Sequence, residues 1–198
     1  MGQVKHRFDR AYYRRYYLDT HTRVAEPAYY RRLAKFIGAY SDLLDIPVRS
    51  MLDIGCGTGA LQKPLSAQFK RADYVGIDDS AYACEQYGWI KACASDFVSD
   101  RRFDLVICHD VMQYLNDANA LKAIKNFARL STKLVYFSVL TKEDWRRNVD
   151  QRLTDGEVFL RPANWYRRLL KSNFRNLGGG LYLANNSDAV VYALEADI

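Results

Sequence analysis

The chain has 198 residues, 49% of them apolar and 26% charged, an ordinary balance for one soluble domain with a sizeable core. No run approaches the ~20 apolar residues of a membrane span. The first residues lack the apolar centre of a secretory signal, so the expected compartment is cytoplasmic, with no membrane association. The net charge of +6 is uneven: residues 1–50 carry ten Lys/Arg against five Asp/Glu, while the remainder is nearly balanced. Such a basic lobe suits nucleic acid or a small anion, and equally a solvated helix face.

The first 47 residues read as helical. Leu33, Phe36, Ile37, Tyr40, Leu43 and Leu44 recur at helical spacing, with Pro27 early and Pro47 as a stop. Ahead of them stands Tyr12-Tyr-Arg-Arg-Tyr-Tyr17, whose tyrosines pair at i, i+4, followed by Asp19-Thr-His-Thr-Arg23.

From Ser50 onward strands and helices alternate. Strands are expected near 50–54, 73–78, 90–94, 103–108 and 133–139, and helices near 60–69, 80–87 and 117–130. Short connections between them imply a parallel sheet covered on both faces. A helix near 162–172 and strand signals at 181–184 and 189–194 supply an antiparallel end hairpin. Gly178-Gly-Gly180 is the one obvious flexible point.

The most informative stretch is Met51-Leu-Asp-Ile-Gly-Cys-Gly-Thr-Gly59. An apolar strand carrying Asp53 opens into a loop with Gly55, Gly57 and Gly59 at alternate positions, with Cys56 between the first two. Glycines let a backbone approach a ligand closely, because no Cβ intervenes and positive φ costs nothing. By its letters Gly55-Cys-Gly-Thr-Gly-Ala60 also fits a dinucleotide loop, but such loops usually follow an all-apolar strand. Tyr74-Val-Gly-Ile-Asp78 ends a second strand in an acid. A carboxylate about 20 residues beyond the loop can accept from two ribose hydroxyls. Asp79 competes with Asp78 for that role.

The D-x-G-x-G-x-G string resembles motif I of class I S-adenosylmethionine-dependent methyltransferases. Gly76-Ile77-Asp78, Asp96-Phe97 and Phe103-Asp-Leu-Val-Ile-Cys108 follow in that family's order, so the resemblance covers roughly residues 48–140. Shorter strings, including Tyr82 to Trp89 and Thr141 to Trp145, look like a bacterial branch whose substrate they do not name. The resemblance implies an α/β, Rossmann-like fold: a seven-stranded, mostly parallel sheet, an antiparallel C-terminal hairpin and an N-terminal helical extension. It divides a single domain into a lid (1–47), a cofactor core (48–140) and a substrate-side remainder (141–198). The implied cofactor is S-adenosylmethionine. Asp53, Gly55, Cys56, Gly57 and Gly59 would form its loop. Asp78 would take the ribose and Asp96 with Phe97 the adenine, while Cys108 and His109 would lie near the methionine.

Methyl transfer from a sulfonium is an in-line displacement that depends largely on alignment, worth around 7–11 kcal/mol. A base is needed only if the acceptor must lose a proton. His109, directly after the fourth strand, is the candidate base or else a cofactor-shell residue. The tyrosine cluster either closes the site, with Tyr16 among the reacting groups, or simply packs. Arg23 likewise either binds a carboxylate or does not. Glu143, Asp144, Trp145, Asn148, Asp150 and Asp155 would overhang the site, or form a charged surface helix. The cysteines show no C-x-x-C spacing and read as small apolar side chains, so neither disulfide nor metal is expected. The acceptor expected is a small molecule. Two alternatives stand: an RNA- or protein-directed enzyme using the basic lobe, and a catalytically silent cofactor binder.

Overall fold

A computed structural model describes residues 7–192. The sheet is built from β1 (Ser50–Ile54), β2 (Asp73–Asp78), β3 (Ile90–Lys91), β4 (Phe103–His109), β5 (Ser131–Ser138), β6 (Phe174–Gly178) and β7 (Leu181–Ala184). Their order is β3-β2-β1-β4-β5-β7-β6. The first five strands pair in parallel, and β7 joins antiparallel to both β5 and β6. The order reverses between β1 and β4, and their carboxyl ends open the crevice where ligands of such sheets bind.

Both faces of the central strands are buried, which is why they read as apolar runs. Leu52, Val106, Cys108 and Val135 pack on one face beneath α5 (Asp117–Leu130) and α7 (Ala163–Leu170). Met51, Leu105, Ile107 and Leu134 pack on the other, beneath α2 (Pro27–Leu43) and α3 (Gln62–Gln68). On α5 the buried Ala120, Ala123, Ile124, Phe127 and Leu130 repeat at helical spacing, and Asn116 caps the helix by accepting the Asn119 N–H at 2.9 Å. Full burial of one side chain such as Phe127 is worth about 1.5–3 kcal/mol.

The N-terminal region departs from a continuous helix. A short α1 (Arg10–Tyr13), capped by Asp9, runs into a π-helical turn (Arg14–Leu18), and an irregular link leads to α2. The tyrosine run is thereby wound more widely than an α-helix, which spreads its rings over the sheet's carboxyl edge. Residues 1–6 of the expected lid lie outside the described residues.

Two further expectations need correction. The end hairpin is made by β6 and β7, not by a strand at 189–194; residues 189–192 are irregular, and 193 and 194 lie outside the described residues. Phe174–Gly178 alternates too weakly to announce a strand, with Arg175 and Asn176 only half-buried. Gly178-Gly-Gly180 is the tight turn of this hairpin, with φ of 85°, 58° and 83°. The third strand is also shorter than expected, because residues 92–94 leave the sheet after two residues of pairing.

The remaining helices are α4 (Ala81–Tyr87) and α6 (Lys142–Arg147), the latter started by a capping box between Thr141 and Asp144. No helix among the described residues is long and apolar enough to cross a membrane.

Candidate functional site: a glycine loop under a tyrosine clasp

The loop after β1 holds its shape through β2. The Gly55 and Cys56 N–H groups both donate to the Ile77 carbonyl, at 2.8 and 3.2 Å. Gly55, Gly57 and Gly59 all have left-handed φ, between 52° and 72°. Side chains crowd the loop: a Cβ on Gly55 would stand 2.3 Å from Val111, and one on Gly59 2.7 Å from Trp89. The Trp89 indole also donates to the Gly57 carbonyl at 2.8 Å. Nothing in the sequence pattern had singled out that tryptophan as a buttress of the loop.

Asp78 is the acid that answers the loop. It is buried, and its Oδ2 accepts the Gly57 N–H at 2.8 Å while Oδ1 accepts the Ser80 N–H at 2.7 Å. Burial pushes its carboxyl up, against the pull of these two donors. Its neighbour Asp79 also lines the cavity beside the loop, but is 62% exposed at the side chain and paired with Lys91 at 2.6 Å.

Asp53 sits below the loop rather than on a cavity wall. It is 3% exposed, and the Tyr74 hydroxyl donates to it. Burial raises its carboxyl to about 6, while that hydrogen bond and His109 draw it down.

The N-terminal segment lies across this loop. Ser80 Oγ donates to the Phe8 carbonyl at 2.6 Å, Tyr12 and Tyr114 share a hydroxyl contact of 2.8 Å, and Arg7 pairs with Asp155 at 3.3 Å. Tyr13 goes deepest. It is 4% exposed, stacks on Tyr82, and its hydroxyl donates to Asp78 Oδ1 at 3.4 Å. A Cβ on Gly57 would meet its ring at 3.3 Å. The cavity remaining beside Gly55, Gly57 and Asp78 is only about 120 Å³, against the roughly 300–1,000 Å³ of small-molecule sites.

The chemistry of that cavity fits S-adenosylmethionine nonetheless. A hydroxyl already donates to Asp78 where a ribose hydroxyl would, and Ala92, Cys93 and Ala94 give a small apolar wall for a base.

A second cavity of about 590 Å³ adjoins the first, and Tyr12, Tyr17, Asp110 and Tyr114 line both. On its wall the His109 Nε2 meets the Tyr29 hydroxyl at 3.1 Å, and Nδ1 meets Asp110 Oδ2 at 3.4 Å. Asp110 holds a left-handed φ of 55°. It is locked there by its N–H to the Ser138 carbonyl at 2.9 Å, by Ser138 Oγ to its carboxylate at 3.0 Å, and by the Gln113 side chain to its carbonyl at 3.0 Å. A residue held this way outside the common backbone regions is a frequent mark of a working site. The resemblance had pointed to the segment from His109 to Leu115, which holds Asp110 and Gln113, but nothing in the sequence reached Tyr29.

Beneath this wall Arg161, 5% exposed, donates to the Met112, Leu115 and Phe159 carbonyls and pairs with Asp117 at 2.8 Å. It fastens the 112–117 segment from below. The overhanging segment after β5 contributes Asp144, Asn148 and Asp155 to the cavity.

Other expected residues fall elsewhere. Cys108 is fully buried in the core under α5 and lines no described cavity, because strand alternation turns it away from the His109 side. Asp96 is exposed and accepts from Ser95, while Phe97 packs on the core. Arg23 is bound to Glu26 of its own chain. Cys56 is buried under the loop with its thiol toward the Ile77 carbonyl, and Tyr16 lines the second cavity. A further cavity, about 820 Å³, lies behind Gly59 with Arg31, Lys35 and Lys63 on its walls. It touches neither Asp78 nor His109 and is a surface groove between α2 and α3.

A family model described as "Methyltransferase domain" matches residues 10–177. A "Ubiquinone biosynthesis O-methyltransferase" of Rickettsia conorii is 27% identical over 161 residues, covering 70% of this chain and 56% of that protein. "Nodulation protein S" of Sinorhizobium fredii is 27% identical over 93 residues, 42% of this chain and 43% of that one. The chain thus spans about half the length of these relatives. Among solved structures, the plantazolicin methyltransferase BpumL with SAH has a TM-score of 0.60 at 18% identity, covering 74% of this chain and 63% of that one. The N-methyltransferase NodS of Bradyrhizobium japonicum, also with SAH, has a TM-score of 0.58 at 18% identity, covering 79% and 88%. At these identities the structural likeness is one of fold.

Proposed function

The chain belongs to the methyltransferase-domain family, and from that membership we propose that it is an S-adenosylmethionine-dependent methyltransferase acting on a small molecule. The observation that carries this reading is the shared wall of the two cavities: Tyr12, Tyr17, Asp110 and Tyr114 face both the glycine-loop cavity and the larger one. A donor in the first and an acceptor in the second would meet there. Relatives named for O-methyl and N-methyl transfer support a small acceptor with an oxygen or nitrogen nucleophile.

When bound, S-adenosylmethionine supplies a methyl group on a positively charged sulfur. Asp78 would hold its ribose and Gly55 and Gly57 would admit it to the backbone. Asp53 supports the loop from below. The segment 7–23 acts as the lid, and its tyrosines exclude water from the junction.

Proton removal falls to a short chain of groups. With Nδ1–H directed at Asp110, the His109 Nε2 accepts from the Tyr29 hydroxyl, which can in turn take a proton from the acceptor. Burial pushes the Tyr29 phenol up, so it stays protonated and passes a proton without remaining a phenolate. Tyr16, on the same wall, orients the acceptor.

The test is incubation with S-adenosylmethionine labelled at the methyl group and fractionated bacterial extract. Label should enter a low-molecular-mass fraction, and His109→Ala should abolish it. Label entering only RNA or protein would replace the small-molecule reading, and no incorporation in any fraction would leave a silent cofactor binder.

A further inference from the structure

We propose that the acceptor is an amine, bound as its ammonium in the 590 Å³ cavity between tyrosine faces and the Asp110 carboxylate. The proposal rests on the methyltransferase reading and adds the substrate class. Two independent features of the cavity point the same way.

The first is its walls. Tyr12, Tyr16, Tyr17, Tyr29, Tyr30 and Tyr114 all face it. Burial pushes the Tyr30 phenol up to about 12, so it remains neutral and its ring keeps a negative face, while Arg7 and Arg15 already lie over the Tyr114 and Tyr16 rings at 4.9 and 5.1 Å. A cation over such a face gains about 0.5–2 kcal/mol, the more so when desolvated.

The second is charge. The carboxylates on the wall are Glu26, Asp110, Asp144 and Asp155, and the basic groups are the exposed Arg32 and His109. Glu26 is answered by Arg23 and Asp155 by Arg7. Asp144 has only the Thr141 hydroxyl and N–H and the Asn148 amide as partners, and Asp110 has Ser138 and the His109 ring. No lysine or arginine among the described residues pairs with either. A phenolate or carboxylate acceptor would be set against these two acids, whereas an ammonium would be drawn to them.

The reaction balances simply. The ammonium gives one proton through Tyr29 to His109, and the freed nitrogen lone pair forms the new N–C bond. The C–S bond breaks with its electron pair going to sulfur, leaving a methylated ammonium and S-adenosylhomocysteine.

Choline and 3,3-dimethylbutan-1-ol test this, since they share a shape and differ in charge. Each is titrated calorimetrically into the intact protein saturated with S-adenosylhomocysteine, whose own binding is measured first. Choline should bind at least tenfold tighter, and Asp110→Asn, which keeps a side chain tolerant of the left-handed backbone, should reduce that preference below threefold. S-adenosylhomocysteine binding together with equal, reversed or undetectable binding of the two probes overturns the amine proposal alone. Failure of S-adenosylhomocysteine to bind removes the methyltransferase reading beneath it as well.

Discussion

The Tyr13 hydroxyl stands 3.4 Å from Oδ1 of Asp78, on the carboxylate whose other oxygen accepts the Gly57 N–H. One acid therefore holds the loop and a tyrosine of the lid at once. On the proposed reading, a ribose at that carboxylate would compete with the phenol, which would couple the N-terminal segment to cofactor binding through a single side chain.

Tyr13→Phe removes the competing hydroxyl and leaves the ring. A hydrogen bond of this kind is worth about 0.5–1.5 kcal/mol net, so S-adenosylhomocysteine should bind roughly two- to tenfold tighter by calorimetry. Weaker binding would mean that the phenol assists the ligand rather than competing with it.

Asp78→Asn should have the opposite effect. Hydrogen bonds to a charged group are worth about 1.5–3 kcal/mol, so the affinity should fall by at least tenfold. Asp79→Asn, at an exposed site facing Lys91, should change it by less than about threefold. A reversal of these two results would transfer the ribose role to Asp79.

Asp53 predicts a pH signature in stability. Its carboxyl lies near 3.8 when exposed and at about 6 in the fold. Between these values the folded chain holds a proton that the unfolded chain has lost, so stability falls as pH rises through that window and levels off above about 6. The shift corresponds to roughly 3 kcal/mol. Urea unfolding at pH 4.5 and 7 should show this slope in the native protein and its loss in Asp53→Asn. Equal slopes in the two proteins would contradict the assignment.

Arg161→Met strips the donors from the Met112, Leu115 and Phe159 carbonyls and leaves Asp117 unpaired. Asp117 is 75% exposed and stays hydrated, so the cost is that of the carbonyls left without a donor, about 1–3 kcal/mol each. At about 2–4 °C per kcal/mol for a chain of this size, Tm should drop by on the order of 10 °C. A drop of about 2 °C or less would show that the 112–117 segment is held by its own packing.

Much of this architecture was legible from local pattern. The apolar repeat of α5 marks that helix, and the glycines after β1 identify the loop, because both signals are short-range. Distance from Gly57 along the chain left Asp78 and Asp79 both open, and the resemblance of Gly76-Ile77-Asp78 to the family's strand end chose between them. The second cavity was not legible in the same way. Tyr29 and His109 are 80 residues apart and meet only because α2 packs over the carboxyl end of β4. Trp89 and Gly57 meet through an indole hydrogen bond that leaves no periodic trace. Cys108 and His109 adjoin in sequence yet face opposite sides of the sheet, and the π-helical turn aims the tyrosines in a way that i, i+4 spacing did not foretell.

The central claim is that this glycine loop and Asp78 hold S-adenosylmethionine rather than a dinucleotide. Calorimetric titration of the native protein with S-adenosylhomocysteine and with NAD, at matched concentrations, tests it most directly. S-adenosylhomocysteine should bind with one-to-one stoichiometry while NAD gives no saturable heat. Saturable NAD binding with none for S-adenosylhomocysteine would contradict the account.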